Sequence, residues 1–250
     1  MTGLDAVHLL DLWERGLTLS APRRADALLR AAWPEAEEGD VSRWPVGLRD
    51  ARLLALRRRL FGPALAVVAS CPSCGERVES AFRVDDVLVA QEPSRQAPDE
   101  PRTIDRHGYV VAYRLPTSGD LVALAETPTD GGPGPRQRLL SRCVTGIRAA
   151  DGSAVALASV PEAIVAAVVG AMAAADPQAD VQLGCRCPSC LGTWSTIFDI
   201  TTVLWSEIHA WARRLLRDVH TLARAYGWRE QDVLALSPTR RRIYLEMVGP

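Results

Sequence analysis

The longest regular pattern of apolar residues lies in the C-terminal part of the chain. Apolar side chains recur at helical spacing between residues 203 and 226, and polar residues occupy the opposite positions. This pattern predicts one long amphipathic helix, about 35 Å in length, that ends at Gly227. The apolar stripe consists of Leu204, Ile208, Trp211, Leu215, Val219, Leu222 and Tyr226.

Shorter patterns predict the remaining elements. Apolar residues at helical spacing predict several short helices before residue 67, and two more follow residue 229. Alternation of apolar and polar residues predicts strands at 78–84 and 109–115, and Thr117–Asp120 fits a helix N-cap. Prolines among charged residues between Gln91 and Asp105 are typical of an exposed linker. The triplet Arg57–Arg59 indicates a solvated helix face, with a docking patch as the alternative.

The tetrapeptide Cys-Pro-Ser-Cys occurs twice, at Cys71–Cys74 and at Cys187–Cys190. When the two copies are aligned, the residues that follow also correspond, and Phe82 then matches Phe198. The repeated unit is therefore a cysteine knuckle, a short strand and the start of a helix. Gly75 allows a tight backbone path after the first knuckle, and Gly192 lies near the matching place in the second.

Two cysteines separated by two residues can bind one side of a tetrahedral ion, and a second pair completes the ligand set. Thiolate ligands favour zinc. The two pairs lie about 110 residues apart, and closing such a loop costs on the order of 4–5 kcal/mol. A structural zinc ion contributes roughly 10–16 kcal/mol in small peptides, which is enough to offset this cost. We interpret the four cysteines as one structural zinc site, formed by Cys71, Cys74, Cys187 and Cys190.

Other roles for these cysteines remain open at this point. Each pair could instead be a redox dithiol or a disulfide, although an apolar strand pattern follows each pair where a redox motif would begin a helix. Plain buried thiols are the third possibility. Cys185 is close enough to compete as a ligand, but we interpret it as a strand residue beside the site. Cys143 lies in an amphipathic helical pattern and is interpreted as a small buried apolar residue.

These patterns together predict an α+β fold that is mainly helical. A small central zinc ribbon joins helical N- and C-terminal parts, and an α/β segment is inserted between its two knuckles. The predicted boundaries are 1–66 for the N-terminal helices, 67–90 and 180–202 for the ribbon halves, 91–179 for the inserted segment and 203–250 for the C-terminal helices.

Composition excludes several classes of function. The chain has 250 residues and a formal net charge of −1, which argues against broad electrostatic binding of nucleic acid. The longest apolar run is too short to span a bilayer, and no targeting signal is present, so we expect a cytoplasmic protein without membrane contact. No phosphate-binding loop, H-E-x-x-H motif or nucleophile elbow occurs. We predict no catalytic residues, no small-molecule substrate and no enzymatic activity.

Several segments together resemble cysteine-knuckle, zinc-ribbon-like proteins from gene clusters for contractile injection systems, the phage-tail-like particles. They are also similar to baseplate-hub assembly proteins of T-even-type contractile phages. The resemblance implies a non-enzymatic baseplate component or assembly factor, whose partners are baseplate or hub proteins. The segments that carry it are Cys71–Gly75, Tyr113–Asp120, the second knuckle at Cys187, Leu222–Trp228, and Leu234 to Met247.

The C-terminal tail supplies a candidate partner-binding surface. Its arginine triplet lies near the start of a predicted helix, where cations oppose the helix dipole, which suggests contact with an acidic partner, with a chance placement as the alternative. The proposed contact residues are Arg240, Arg241, Arg242 and Tyr244. Two alternatives to a baseplate protein remain: a nucleic-acid-associated zinc ribbon, which neutral charge disfavours, and a thiol oxidoreductase.

Overall fold

The computed structural model describes residues 4–34, 40–89, 101–127 and 132–248. These residues form an α+β fold that is more than half helical and contains small sheets, as the sequence predicts. The helices are α1 (Ala6–Gly16), α2 (Ala21–Ala32), α3 (Val46–Phe61), α4 (Val84–Val87), α5 (Ser118–Glu126), α6 (Pro135–Cys143), α7 (Glu162–Ala175), α8 (Ile200–Tyr226), α9 (Glu230–Leu234) and α10 (Pro238–Val248). The strands are β1 (Ala64–Ser70), β2 (Arg77–Arg83), β3 (Arg102–Arg106), β4 (Tyr109–Tyr113), β5 (Val144–Ala149), β6 (Gln182–Arg186) and β7 (Thr193–Ile197).

The largest apolar cluster joins the N-terminal helices to the first half of α8. Leucines of α2 and α3 pack there against apolar residues at the start of α8, and hairpin residues close the cluster from one side. Burial of this many aliphatic side chains is the main source of stability for the fold. Its fully buried members include Leu28, Leu29, Leu53, Leu54, Leu56, Leu65, Ile200, Leu204 and Ile208.

The long helix α8 confirms the C-terminal amphipathic pattern. It begins at Ile200, earlier than the pattern predicts, because the Asp199 side chain accepts hydrogen bonds from the backbone N–H groups of Thr201 (2.9 Å) and Thr202 (3.3 Å). It ends at Gly227, whose φ of 69° lies in the left-handed region that glycine favours. Its distal end carries a separate apolar cluster with α9 and α10, centred on Val219, Leu222 and Val233.

The inserted segment has its own core. Strands β3, β4 and β5 form an antiparallel sheet in that order, and α6 and α7 pack against it. Fully buried residues of this core include Val111, Cys143 and Ile164. Cys143 is thus a buried apolar-like residue, as the sequence predicts.

Two sequence predictions about strands are wrong. Helices were expected throughout residues 1–66, but Ala64 already belongs to β1, since Gly62 with its φ of 86° ends α3 and the chain then extends. A linker was expected up to Asp105, but Arg102–Arg106 forms β3 by pairing with β4. Residues 91–100 of that linker prediction lie outside the described residues.

Arg57 also differs from the prediction of a solvated basic face. Its side chain is buried, and its guanidinium donates two hydrogen bonds to the Glu207 carboxylate, at 2.9 and 2.6 Å. It donates a third to the Gly62 carbonyl oxygen at 2.6 Å. Arg57 therefore links the end of α3 to α8. Arg58, by contrast, is exposed and forms a surface ion pair with Asp85.

Candidate metal centre

Each cysteine knuckle is the turn of a β-hairpin. Strands β1 and β2 pair antiparallel and end at the pair Ser70–Arg77, which brackets the first knuckle. Strands β6 and β7 end at the pair Arg186–Thr193, which brackets the second. The hairpins fix where each knuckle starts and ends, so the cysteine positions follow directly from the strand register.

The first knuckle is closed by two backbone hydrogen bonds. The Cys71 N–H donates to the Glu76 carbonyl oxygen at 2.8 Å, and the Gly75 N–H donates back to the Cys71 carbonyl oxygen at 2.9 Å. Gly75 has a φ of 76°, in the left-handed region. This turn directs the backbone N–H groups of the knuckle towards the cysteine sulfurs.

The second knuckle repeats this geometry with a different residue in the strained position. The Cys187 N–H donates to the Gly192 carbonyl oxygen at 2.9 Å, and the Leu191 N–H donates to the Cys187 carbonyl oxygen at 3.0 Å. Leu191, with a φ of 61° and 64% exposure, occupies the place of Gly75. Gly192 has a different role, because a Cβ atom there would lie 3.3 Å from the Cys190 sulfur.

We expect Leu191→Gly to stabilise the protein by up to about 1 kcal/mol. A left-handed conformation costs a leucine roughly 1–2 kcal/mol, and the greater freedom of glycine in the unfolded chain cancels part of the gain. Gly75→Leu should destabilise by a similar amount, because a Cβ atom there meets nothing within 4 Å and only the backbone changes. Urea denaturation of both variants measures the difference. Loss of stability in both would show that the Leu191 side chain contributes contacts of its own.

The four cysteine sulfurs converge on one point. The Cys71 and Cys190 sulfurs lie 3.6 Å apart, the Cys74 and Cys187 sulfurs also lie 3.6 Å apart, and all four are within 4.8 Å of one another. A tetrahedral ion with sulfur at about 2.3 Å requires edges of about 3.8 Å between sulfurs. The observed spacing is close to that figure and far longer than the roughly 2.05 Å of a disulfide bond.

The two hairpins are related by an approximate two-fold arrangement. The first cysteine of each knuckle pairs with the second cysteine of the other. Phe82 and Phe198, which correspond in the repeat, meet edge to face with ring centroids 5.6 Å apart. A further contact crosses the site, where the Ser189 hydroxyl donates to the Glu76 carboxylate at 3.2 Å. The repeated sequence unit therefore packs against its own copy.

Local hydrogen bonds favour the thiolate form at the first cysteine of each knuckle. Burial opposes ionisation of Cys71, but hydrogen bonds from the backbone N–H groups of Cys74 and Ser73 together lower its pKa to about 6. The backbone N–H of Cys190 lowers the pKa of Cys187. At Cys74 the backbone N–H of Glu76 also favours the thiolate, but the neighbouring cysteine sulfurs, Cys187 foremost, together with burial outweigh it and raise the pKa to about 12. The donor set thus fits a divalent cation, whose charge would stabilise four adjacent thiolates.

The cysteine ligands differ in exposure. Cys71 and Cys187 are buried, whereas Cys74 and Cys190 are exposed. Cys185 lies outside the sulfur cluster and is buried on β6, where its thiol contacts the Leu183 carbonyl oxygen at 3.8 Å. The structure thus separates Cys185 from the four candidate ligands, as the sequence interpretation expects.

The predicted partner-binding residues fall into two groups. Arg240 and Arg242 are exposed on α10. The Arg241 guanidinium instead lies 3.4 Å from the Asp218 carboxylate of α8, and the Tyr244 ring packs edge to face against Trp228, with centroids 4.9 Å apart. Arg241 and Tyr244 therefore hold α10 in place. Arg240 and Arg242 remain exposed, although the Arg242 guanidinium lies 3.6 Å from the Glu246 carboxylate one turn further along α10.

A buried polar network in the inserted segment has no counterpart in the sequence predictions. The Asp120 carboxylate is 2% exposed and accepts hydrogen bonds from Arg114, at 2.6 and 2.9 Å, and from Arg142, at 2.7 Å. It also accepts one from the Thr117 N–H at 3.0 Å, as the capping box of α5. The Arg114–Asp120 spacing is a weak sequence signal for this network. Arg142 could not be foreseen, since it lies on a different helix.

The same segment attaches the insertion to the N-terminal helices. The Val46 N–H donates to the Pro116 carbonyl oxygen at 3.1 Å, and the Ser118 N–H donates to the Trp44 carbonyl oxygen at 2.9 Å. The Ser118 hydroxyl donates to the Asp26 carboxylate of α2. Tyr113–Asp120 thus places the insertion against the same N-terminal helices that pack against α8.

The fold and the site together define a helical α+β protein in which two cysteine-bearing hairpins converge. The T4 bacteriophage base plate protein family matches residues 35–205, which is more than half of the chain and includes both knuckles. The chain belongs to this family. No curated protein and no solved structure matches the chain.

The family match confirms the coarser part of the sequence resemblance, that of a phage baseplate-related protein. It ends at residue 205, so the tail segments from Leu222 to Met247 lie outside it. No helix within the described ranges has the length and apolar character needed to cross a membrane. The zinc ligands, the domain boundaries and the partner surface remain predictions.

Proposed function

We propose that this protein is a non-enzymatic structural or assembly component of the baseplate of a contractile phage-tail-like particle. The observation that carries the proposal is the family match over residues 35–205. A structural role in a baseplate also accounts for the absence of a recognisable catalytic motif in the sequence. We place the protein in the cytoplasm, where thiols stay reduced and available to a metal.

We further propose that zinc organises the protein through its four converging cysteines. The ion would hold the two hairpins together, and the ligands would be Cys71, Cys74, Cys187 and Cys190. Each hairpin leads directly into a helix that packs in the main core, α4 after β2 and α8 after β7. Zinc would therefore act as a structural clamp on the junction between the N-terminal helices and α8.

The proposed partners are other baseplate or hub proteins, contacted through the exposed arginines of α10. Arg240 and Arg242 are the residues to test, because changing them leaves the contacts of Arg241 and Tyr244 intact. The double variant Arg240→Glu, Arg242→Glu should lose co-purification with baseplate proteins co-expressed from the same gene cluster. Circular dichroism should show unchanged helicity.

The control for this test is a charge reversal of equal size elsewhere. Arg106 and Arg148 are exposed on the sheet of the inserted segment, far along the chain from α10. The variant Arg106→Glu, Arg148→Glu should co-purify with the same proteins as the unchanged chain. If the unchanged chain captures no baseplate protein at all, the proposed function is wrong; if both variants bind normally, only the surface assignment is wrong.

A further inference from the structure

A groove with basic walls runs along α8 where α10 crosses it. Its volume is about 420 Å³, within the range of sites that hold a few side chains. It lies outside the residues matched by the family, which end at residue 205. The groove is lined by Trp211, Arg214, Leu215, Arg217, Asp218 and Arg241.

The charges of the groove are unbalanced. Asp218 is already paired with Arg241 at 3.4 Å. Arg214 and Arg217 are exposed, and among the described residues no carboxylate lies within ion-pair distance of either. The chain as a whole has a net charge of −1, so this basic surface is local. Two arginines without acidic partners at the edge of a cleft attract a negatively charged ligand.

The floor of the groove selects among negatively charged ligands. The half-buried Trp211 contributes apolar surface, which a phosphate backbone would leave uncovered. Leu215 also lines the groove but is only 2% exposed. A peptide can place an apolar side chain on the floor and its carboxylates beside Arg214 and Arg217. Interfaces commonly combine an aromatic or aliphatic floor with arginines at the edge.

From this geometry we infer that the groove binds an acidic peptide segment of another protein, with an apolar side chain seated between its carboxylates. This inference rests on the proposed function, since it names the chemistry of a partner. It adds a second contact surface on α8, next to the exposed arginines of α10. The acidic segment would cross α8 near the middle of the helix.

Fluorescence anisotropy of the full chain tests the inference with a labelled peptide of alternating glutamate and leucine residues. The unchanged protein should bind it, and Arg214→Glu, Arg217→Glu should weaken binding about ten-fold or more, because reversed charges repel the peptide. Arg106→Glu, Arg148→Glu should bind the peptide within about two-fold of the unchanged protein, since exposed surface charges far from the groove contribute little. Circular dichroism should show equal helicity in all three proteins.

Two further probes decide the chemistry of the ligand. A peptide of glutamate alone should bind more weakly, since it leaves the apolar floor uncovered; equal binding would overturn the role of Trp211. An oligothymidine of equal charge should bind more weakly than the mixed peptide; tighter binding would overturn the inference in favour of nucleic acid. If the mixed peptide fails to bind while co-purification with baseplate proteins persists, the groove inference is wrong and the proposed function stands.

Discussion

Replacement of Cys187 by serine should abolish binding of the proposed zinc ion and lower the stability of the protein by about 5 kcal/mol. The expected loss follows from the chain topology. The proposed ion would close a loop of about 110 residues between the knuckles, and a cross-link over such a loop stabilises by about 5 kcal/mol in the chain-entropy description. For a domain of this size the thermal midpoint should fall by about 10–20 °C.

Cys185→Ser is the matched control for this experiment. Cys185 is also a buried thiol and lies on the adjacent strand, but its sulfur is outside the cluster. This variant should keep about one zinc per chain and lose only about 1 kcal/mol, the usual effect of a modest change in a core. Elemental analysis of protein prepared without chelator, together with thermal unfolding, measures both quantities.

Two results would contradict the zinc assignment. One is an unchanged protein without bound metal, and the other is equal loss of stability in the Cys187 and Cys185 variants. If metal is absent and intact mass shows the hydrogen loss of disulfide formation, the disulfide interpretation gains support instead. Slow reaction of the sulfurs with a thiol reagent, accelerated by a chelator, would exclude the oxidoreductase alternative, since zinc-bound sulfurs are protected.

The second large effect is expected at Asp120. Asp120→Asn should destabilise by about 3 kcal/mol, because it leaves Arg114 and Arg142 without their shared carboxylate in a site where Asp120 is 2% exposed. This loss of stability lies at the lower end of the range for breaking a buried ion pair, because Arg142 is about half exposed and water screens its charge. The thermal midpoint should fall by about 6–12 °C.

Glu126→Gln is the control for Asp120→Asn. Glu126 lies on the same helix and also accepts two hydrogen bonds from one arginine, Arg23, at 2.7 and 3.1 Å. Both partners of this pair are about half exposed, so its loss should cost less than about 1 kcal/mol. An equal loss of stability in the two variants would show that the burial of Asp120 does not strengthen its ion pairs.

The pH dependence gives an independent test of Asp120. Burial opposes its ionisation, but hydrogen bonds from Arg114, Thr117 and Arg142 outweigh burial and hold its pKa well below the ordinary value. Folding therefore favours the ionised form, and the stabilisation is fully present above the unfolded pKa of about 3.9. The difference between the unchanged protein and Asp120→Asn should be constant above about pH 5 and should shrink as the pH falls below about 4.

The sequence predicts the features that have a local or repeated signal. The two Cys-Pro-Ser-Cys copies predict a shared site, and their sulfurs do converge. The apolar stripe of α8 predicts a long helix, because helix periodicity needs only neighbouring residues. Only the start of α8 differs, since the Asp199 cap extends it to Ile200.

The features that sequence reasoning missed depend on partners from distant segments. Arg57 has the sequence context of a solvated face, yet Glu207 of α8 pairs with it in the core. Strand β3 exists because β4 pairs with it, although its own sequence is rich in charged residues. Glycine positions mark the turns only partly, since Leu191 adopts the left-handed conformation that Gly75 adopts in the other knuckle. For Arg57 and β3, tertiary pairing outweighs the local preference; at Leu191 the turn of the knuckle, closed by the hydrogen bond to the Cys187 carbonyl oxygen, does so.

The continuity of α8 has a mechanical consequence. Its N-terminal half is anchored in the main core beside the hairpins, and its far end carries α9 and α10 around Leu222. At 27 residues it is a rod about 40 Å long with no break between Ile200 and Tyr226. A pull or twist applied by a neighbouring subunit at the tip would therefore travel along the rod to the paired hairpins rather than being absorbed by a hinge.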